Sequence, residues 1–266
     1  EEIALYQLDQ KINDTGILID TDMVQGAVKI DQEQTRKLTE EFRDRTGLEN
    51  PNSLVDMKAL IKSRTGQVIP SITKKNQADL IKAFKDFPDI VFALEVRQRL
   101  SKTSIAKYQK MLDVACSDGR ARGILQFYGA ARTGRWAGRS IQPQNLPQNH
   151  IKDLDTAREI IKTGDLELLE MMYEDPSDIL SQCIRTAIIP APGNKFIVAD
   201  FSAIEARIIA WLSGEQWRID VFNSHGKIYE ASAAAMFKVP IESIHKGDPL
   251  RQKGKVAELA CGYGGG

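Results

Sequence analysis

The stretch from Asn194 to Gly214 constrains this chain more than any other. Phe196–Ala199 is a short apolar run with the length and composition of a strand buried on at least one face, which would deliver the Asp200 carboxylate to the strand's end. Ser202 is followed three residues later by Glu205, and Ile204, Ile208, Ile209 and Leu212 recur at helical spacing, the signature of a capping box; Gly214 closes the helix. A carboxylate beside a helix N-terminus sits where a metal ion or an anion can be held against backbone N–H groups and the positive end of the dipole. On spacing alone, a capped strand–helix unit with Asp200 in its turn fits as well.

With 266 residues, 42% of them hydrophobic, the chain is long enough for one large or two modest domains with ordinary cores. Lys+Arg and Asp+Glu number 36 each, so recognition of a polyanion would require local segregation of basic residues. They are segregated. Between Ser101 and Asn145 eight lysines and arginines face two aspartates, a local excess of +6. Cys116, Cys183 and Cys261 are far apart and unpaired with histidines, which excludes a zinc site or a disulfide framework and predicts reduced, buried thiols. No apolar run is long enough to span a bilayer and Glu1-Glu2 opens no signal peptide, so a cytoplasmic setting, without a membrane partner, is the expectation.

The first part of the chain reads as mainly helical. Ile3–Ile12 forms a helical pattern, Ile17–Ile19 a short strand, and a helix capped by Asp20 or Thr21 runs past Ile30 to about Arg45, ending at Gly47. Helices are expected over Leu54–Ile61 behind Asn52-Ser53, over Ala78–Phe84 behind Ser71 or Thr73, and as one or two long helices between Asp89 and Val114. After Cys116 the pattern turns to sheet, with a strand across residues 121–129. An acidic helical segment, Ile151–Tyr173, is expected at the periphery, and Ile184–Ile189 returns to sheet. Beyond Gly214 the helices are Ile228–Phe237 and one opened by Asp248-Pro249 that runs to Tyr263.

Two further stretches carry chemistry. Arg251, Lys255, Leu259 and Tyr263 are spaced by four and form one drifting helical stripe, and two cations one turn apart suit a polyphosphate; a solvated basic face has the same spacing. Arg135, Arg139, Gln142, Gln144 and Asn145 lie in a Gly- and Pro-punctuated loop whose donors suit phosphates and minor-groove acceptors. The histidines are scattered, and Ser202 lacks a nearby His or a Gly-x-Ser-x-Gly frame, so nucleophilic catalysis is set aside.

Taken in order, Thr133-Gly134-Arg135…Gln144-Asn145-Leu146-Pro147, then Asp200-Phe201-Ser202-Ala203-Ile204-Glu205-Ala206-Arg207, then Arg251-x-x-x-Lys255…Tyr263-Gly264 resemble the signature stretches of family A DNA polymerases, the DNA polymerase I type. Asn50-Pro51-Asn52-Ser53 and Thr103-Ser104-x-x-Lys107-Tyr108 resemble that family's thumb, so the likeness covers nearly the whole chain. It implies a mixed α+β, right-hand architecture: residues 1–30 proximal to the palm, a helical thumb at 31–114, a partial antiparallel-sheet palm at 115–212 with an acidic helical insertion at 151–180, and the start of the fingers at 213–266.

The resemblance also implies function. It gives template-directed addition of dNTPs to a primer 3′-hydroxyl, with primer-template DNA as partner and two Mg²⁺ ions in the complete enzyme. Asp200 and the carbonyl of Phe201 match the family's metal ligands, and Glu205 its sugar-discriminating glutamate. Arg251 and Lys255 match the cations on the incoming triphosphate, Tyr263 the aromatic near the templating base, and Tyr229 stands where many members carry a His facing the triphosphate. Arg135 and Gln144, with Lys107, Arg139, Gln142 and Asn145 nearby, match residues tracking the primer-template duplex. Leu259 departs from the usual Phe or Tyr on the incoming sugar, and the acidic segment with Ala199-Asp200-Phe201-Ser202 is more similar to phage and prophage members. No His-Asp-Glu follows the fingers helix, so the second metal-binding aspartate is expected outside this chain, and the chain alone is expected to be nearly inactive. A non-catalytic DNA-binding remnant of such a polymerase is the alternative.

Overall fold

A computed structural model describes residues 2–101, 105–262 and 264. In chain order the elements are α1 (Glu2–Thr15), β1 (Ile17–Ile19), α2 (Thr21–Thr46), α3 (Leu54–Thr65), α4 (Gln77–Ala83), α5 (Pro88–Leu100), α6 (Ala106–Val114), β2 (Arg120–Ala121), β3 (Leu125–Gln126) and β4 (Ala137–Gly138). A 3₁₀ turn (Pro143–Asn145) precedes α7 (Leu154–Thr163), α8 (Leu166–Met172), α9 (Pro176–Cys183), β5 (Ile188–Ile189), α10 (Ile204–Ser213), α11 (Gln216–Asn223), α12 (Ile228–Phe237) and α13 (Pro249–Gly262). The fold is α+β, dominated by helices around small antiparallel sheets, and it divides into two compact units, residues 1–195 and 196–266.

Within residues 1–195 the spine is α2. Asp20 accepts a hydrogen bond from the Met23 amide at its start, and Gly47, at φ +72°, turns the chain out at its end. The first half of α2 buries Met23, Val24, Ala27 and Ile30 in a cluster with Tyr108, Met111, Ile161, Leu180 and Ile184. Its second half sends Phe42 into a separate cluster with Met57, Ile61, Phe84, Ile90 and Leu94. Each fully buried side chain of this size contributes on the order of 1.5–3 kcal/mol, so both clusters are substantial. Where α2 crosses α7, a Cβ on Gly26 would overlap the Ile161 carbonyl, so this approach requires glycine.

A three-stranded antiparallel sheet in the order β2-β1-β5 seals the first cluster, pairing Ile17 with Ala121 and Leu18 with Ile189. Beside it, Arg158 bridges Asp20 at 2.7 Å and the Thr186 carbonyl, tying the start of α2 to the segment that feeds β5.

Several sequence expectations hold: β1, the caps of α2 and α3, helix between Asp89 and Val114, where the one or two expected are the two helices α5 and α6, and Gly214 as the αL stop of α10. Others need correction. The expected strand at Phe196–Ala199 is irregular, with Ile197 87% and Val198 90% exposed, because no strand among the described residues pairs with it and an unpaired strand has no ladder to hold it. The Ser202–Glu205 capping box does not form: Ala203 occupies the N-cap position in a left-handed conformation, with no side-chain cap bond. Residues 121–129 yield two short strands broken at Gly123, which has φ +62°. The acidic segment is not peripheral, since Ala157, Ile160, Ile161, Leu166 and Leu169 are core residues; its charges lie on the outer face of an amphipathic pair. Of the cysteines only Cys183 is buried, its thiol pushed up to about 11 by burial, while Cys116 and Cys261 are exposed. The Thr103-Ser104 part of the thumb-like motif and Tyr263 lie outside the described residues.

Candidate nucleic-acid interface and nucleotide site

The sequence-predicted residues fall in two groups, one in each unit. In residues 1–195, β3 and β4 form an antiparallel hairpin, Leu125 facing Gly138 and Gln126 facing Ala137. Its turn is closed by the Ala130 amide donating to Arg135 O at 3.0 Å and the Gly134 amide to Ala130 O at 2.9 Å. Gly134 has φ +66°, and a Cβ there would meet the Tyr128 ring at 2.8 Å, so the turn needs glycine. Arg132 and Arg135 are exposed on this turn.

The segment after the hairpin is pinned from below by Ile141 and Leu146, both core residues. On either side of Ile141, Ser140 and Gln142 have φ +55° and +52°, which keeps the backbone of this segment irregular. Lys107 of α6 donates to the Ser140 carbonyl at 3.2 Å. Arg139 donates to Gln126 Oε1, and Asn145 to Gln142 Oε1 at 3.2 Å. A Cβ on Gly138 would overlap the Gln144 amide, so the missing side chain makes the space in which Gln144 lies against the hairpin. Lys107, Arg139, Gln142, Gln144 and Asn145 are thus gathered on one surface, with Arg135 on the adjoining turn. The chemistry is that of a polyanion interface: guanidinium and ammonium groups for phosphates, flanked by planar amides that can meet base or sugar edges.

In residues 196–266 the framework is the pair α12 and α13. A Cβ on Gly254 would overlap the Tyr229 carbonyl, which explains how closely the two helices pack. Arg251, Gly254 and Glu258, at spacings of three and four, form the face of α13 turned to α12. Arg251 Nε donates to Glu230 Oε1 at 2.7 Å, and its guanidinium lies 5.4 Å from the Tyr229 ring centroid. Burial would raise the Glu230 carboxyl, but the hydrogen bond and charge of Arg251, with the nearby Lys227, hold it below the usual value. Glu258, also buried, accepts from Arg218 at 3.0 Å and from the Ser232 hydroxyl.

Each fourth residue of a helix turns by about 40° from the last, so the stripe drifts away from α12. Lys255 is half-buried and Leu259 is exposed. Arg251 and Tyr229 are therefore brought together, and Lys255 follows one turn on. Asp200 and Phe201 are exposed in the irregular segment before α10, and Glu205 occupies the first turn of that helix. Among the described residues no group of three or more His, Cys, Asp or Glu side chains could hold a metal ion. The donors present, one carboxylate and a carbonyl, are hard oxygens of the kind Mg²⁺ accepts alongside water and substrate phosphates.

Sequence reasoning missed Glu230, Glu258 and Arg218. The spacing of Arg251, Gly254 and Glu258 carried the signal, since a glycine between two charged residues on one helical face marks a close crossing. It also missed the residues of α1 that back the hairpin.

The family model for DNA polymerase family A matches residues 21–266, and the chain belongs to that family. Over 265 residues it is 55% identical to a DNA polymerase of Bacillus phage SP02, covering 100% of this chain and 41% of the phage protein. DNA polymerase I of Lactococcus lactis subsp. lactis is 22% identical over 269 residues, covering 99% of this chain and 27% of the relative. The chain thus spans less than half the length of these relatives. Among solved structures, the POL domain of Pol1 from M. smegmatis, in complex with DNA primer-template and dNTP, superposes with a TM-score of 0.61 at 23% identity, covering 94% of this chain and 40% of that one. The family is metal-dependent, and among the described residues no helix is long and apolar enough to cross a membrane.

Proposed function

We propose that this chain is part of a template-directed DNA polymerase that adds dNTPs to a primer 3′-hydroxyl. The observation that carries the reading is the surface at Lys107 and Arg135–Asn145, where a chain of zero net charge gathers cations and planar amides at the family's duplex-tracking positions. On this reading residues 31–114 form the thumb, 115–212 the palm and 213–266 the start of the fingers.

Arg251 and Lys255 bind the incoming triphosphate. The Nε of Arg251 is engaged by Glu230, which orients the fork and leaves its Nη donors to face phosphate oxygens. Tyr229 stacks under that guanidinium, Glu205 crowds a ribose 2′-hydroxyl, and Tyr263 is assigned to the templating base by its place in the family motif. Leu259, aliphatic at the sugar-facing position, offers packing without aromatic stacking. Asp200 and the Phe201 carbonyl would hold Mg²⁺, two ions in all with a second carboxylate. Bound there, the metal supplies positive charge that activates the primer hydroxyl and stabilises the leaving pyrophosphate. Asp200 is the one side-chain carboxylate of this chain assigned to the metal, so these residues alone support little turnover.

The test joins this chain to the remaining portion of the phage relative and measures single-nucleotide primer extension. Asp200→Ala should reduce incorporation by about a thousand-fold while leaving duplex affinity intact. Substantial extension by the Asp200→Ala protein would remove Asp200 from the site. Duplex binding without any extension, even with Mn²⁺, would make the chain a non-catalytic DNA-binding module.

A further inference from the structure

The β3–β4 hairpin does not stand alone. One face of α1 lies along it. Glu2, Tyr6, Asp9 and Asn13 recur at spacings of four, three and four, one stripe of a helix, and each meets the hairpin. The Tyr128 hydroxyl reaches Glu2 Oε1 at 3.5 Å. Tyr6 packs edge-on against Phe127, with ring centroids 5.7 Å apart, and Phe127 in turn packs against Trp136 at 5.8 Å.

The two polar members of the stripe do the fixing. Asn13 Nδ2 donates to the Leu125 carbonyl at 3.1 Å, while its Oδ1 accepts from the Leu125 amide at 3.0 Å. The side-chain amide therefore pairs with the first residue of β3 as a neighbouring strand would. Asp9, 2% exposed, accepts from Trp136 Nε1 at 2.7 Å through Oδ1, and from Gln10 and Asn13 at 3.1 and 3.2 Å through Oδ2. One residue grips the start of β3 and the other the residue just before β4. Between these grips lies the turn that exposes Arg132 and Arg135.

We propose that Asp9 and Asn13 are positioning residues for DNA: they set the height and angle of the hairpin so that its arginines meet the duplex backbone. This rests on the polymerase reading, in which the hairpin is a duplex contact. A hairpin of two two-residue strands has little stability of its own, so its orientation has to come from its backing. Loss of either grip leaves the arginines in place in the sequence but spreads their positions, and DNA binding then has to restore the order.

The test uses this chain and a fluorescent primer-template duplex, with affinity read by anisotropy at low salt. Asp9→Ala and Asn13→Ala should each weaken binding by about ten-fold. Asp9→Asn, which keeps an oxygen acceptor for Trp136, should restore affinity to within about two-fold of the unmodified chain. With Trp211 and Trp217 replaced by Phe, Trp136 emission reports the grip directly; it should shift in Asp9→Ala and return in Asp9→Asn. The Arg135→Ala background separates positioning from general destabilisation. There, Asp9→Ala should cost less than it does alone, because one of the two arginines it orients is already gone.

Unchanged affinity in both alanine variants, or an equal loss with and without Arg135, overturns the proposal. If Asp9→Ala fails to fold, Asn13→Ser decides it by the same comparisons. Absence of duplex binding by the unmodified chain, with Trp136 emission still responding to Asp9→Ala, overturns the polymerase reading of the hairpin and the DNA role of the stripe together, while leaving the α1 contact intact.

Discussion

Residues 1–195 hold their candidate interface on a double apolar core, whereas residues 196–266 hold theirs on a single helix pair. Tyr108, Phe42, Met57 and Met111 are fully buried in the first unit. In the second, Phe201, Trp211 and Leu212 are more than two-thirds exposed, and the buried apolar residues are small or few: Ala210, Ile228, Ala233 and Ile244. What orders the second unit is instead polar and steric, namely the Arg251–Glu230 and Arg218–Glu258 pairs and the glycine contact of α13 on α12. The two units are therefore vulnerable in different places. The candidate interface of residues 1–195 should fail when its core is hollowed out, and the candidate site of residues 196–266 when two helices are pushed apart.

Hollowing the core gives the largest effect. Phe42→Ala should destabilise residues 1–195 by about 3–5 kcal/mol, through lost burial and the cavity it leaves, as measured by urea denaturation followed by circular dichroism. A loss below about 1 kcal/mol would show that the second cluster is not a tightly packed core.

Pushing the helices apart comes next. Gly254→Ala should cost about 1–3 kcal/mol in residues 196–266, because the new methyl meets a backbone carbonyl that has no rotamer to escape into. With Trp136 replaced by Phe, the emission of Trp211 and Trp217 reports this transition separately. A neutral outcome would mean that the α12–α13 crossing is loose.

The smallest effect sharpens the contrast. Val198→Thr should change stability by no more than about 0.5 kcal/mol, whereas the same substitution at buried Val24 should cost about 1–3 kcal/mol by hiding a hydroxyl in an apolar cluster. Equal costs at the two sites in parallel urea titrations would place Val198 in a packed environment.

Local signals in the sequence were legible wherever the physics was local. Ser53 and Asp20 as caps, Gly47 and Gly214 as helix stops, and Asp248-Pro249 as a helix start are decided by a few neighbouring residues, and each stands in the structure. Phe196–Ala199 fails for the opposite reason. A strand is a property of its partners, and the apolar pattern predicts burial without supplying the surface that buries it. The acidic segment misled through its charge, because an amphipathic helix can be rich in Asp and Glu and still drive Ile160 and Leu169 into a core.

The candidate site shows the same division. The Arg251–Lys255 spacing and the polar loop at Arg135–Asn145 were visible because they are short-range. The Glu230 carboxylate under Arg251, 21 residues away, and the grip of Asp9 on Trp136, 127 residues away, depend on which helices meet.

A consequence follows for α2. This single helix of 26 residues, about 39 Å long, has one end in each cluster of residues 1–195. A rod shared by two cores makes them mechanical partners: loosening one frays the rod from that end and removes a wall from the other. Backbone amides near the middle of α2 should therefore exchange with solvent only when both cores open, which makes that stretch the slowest clock in the unit.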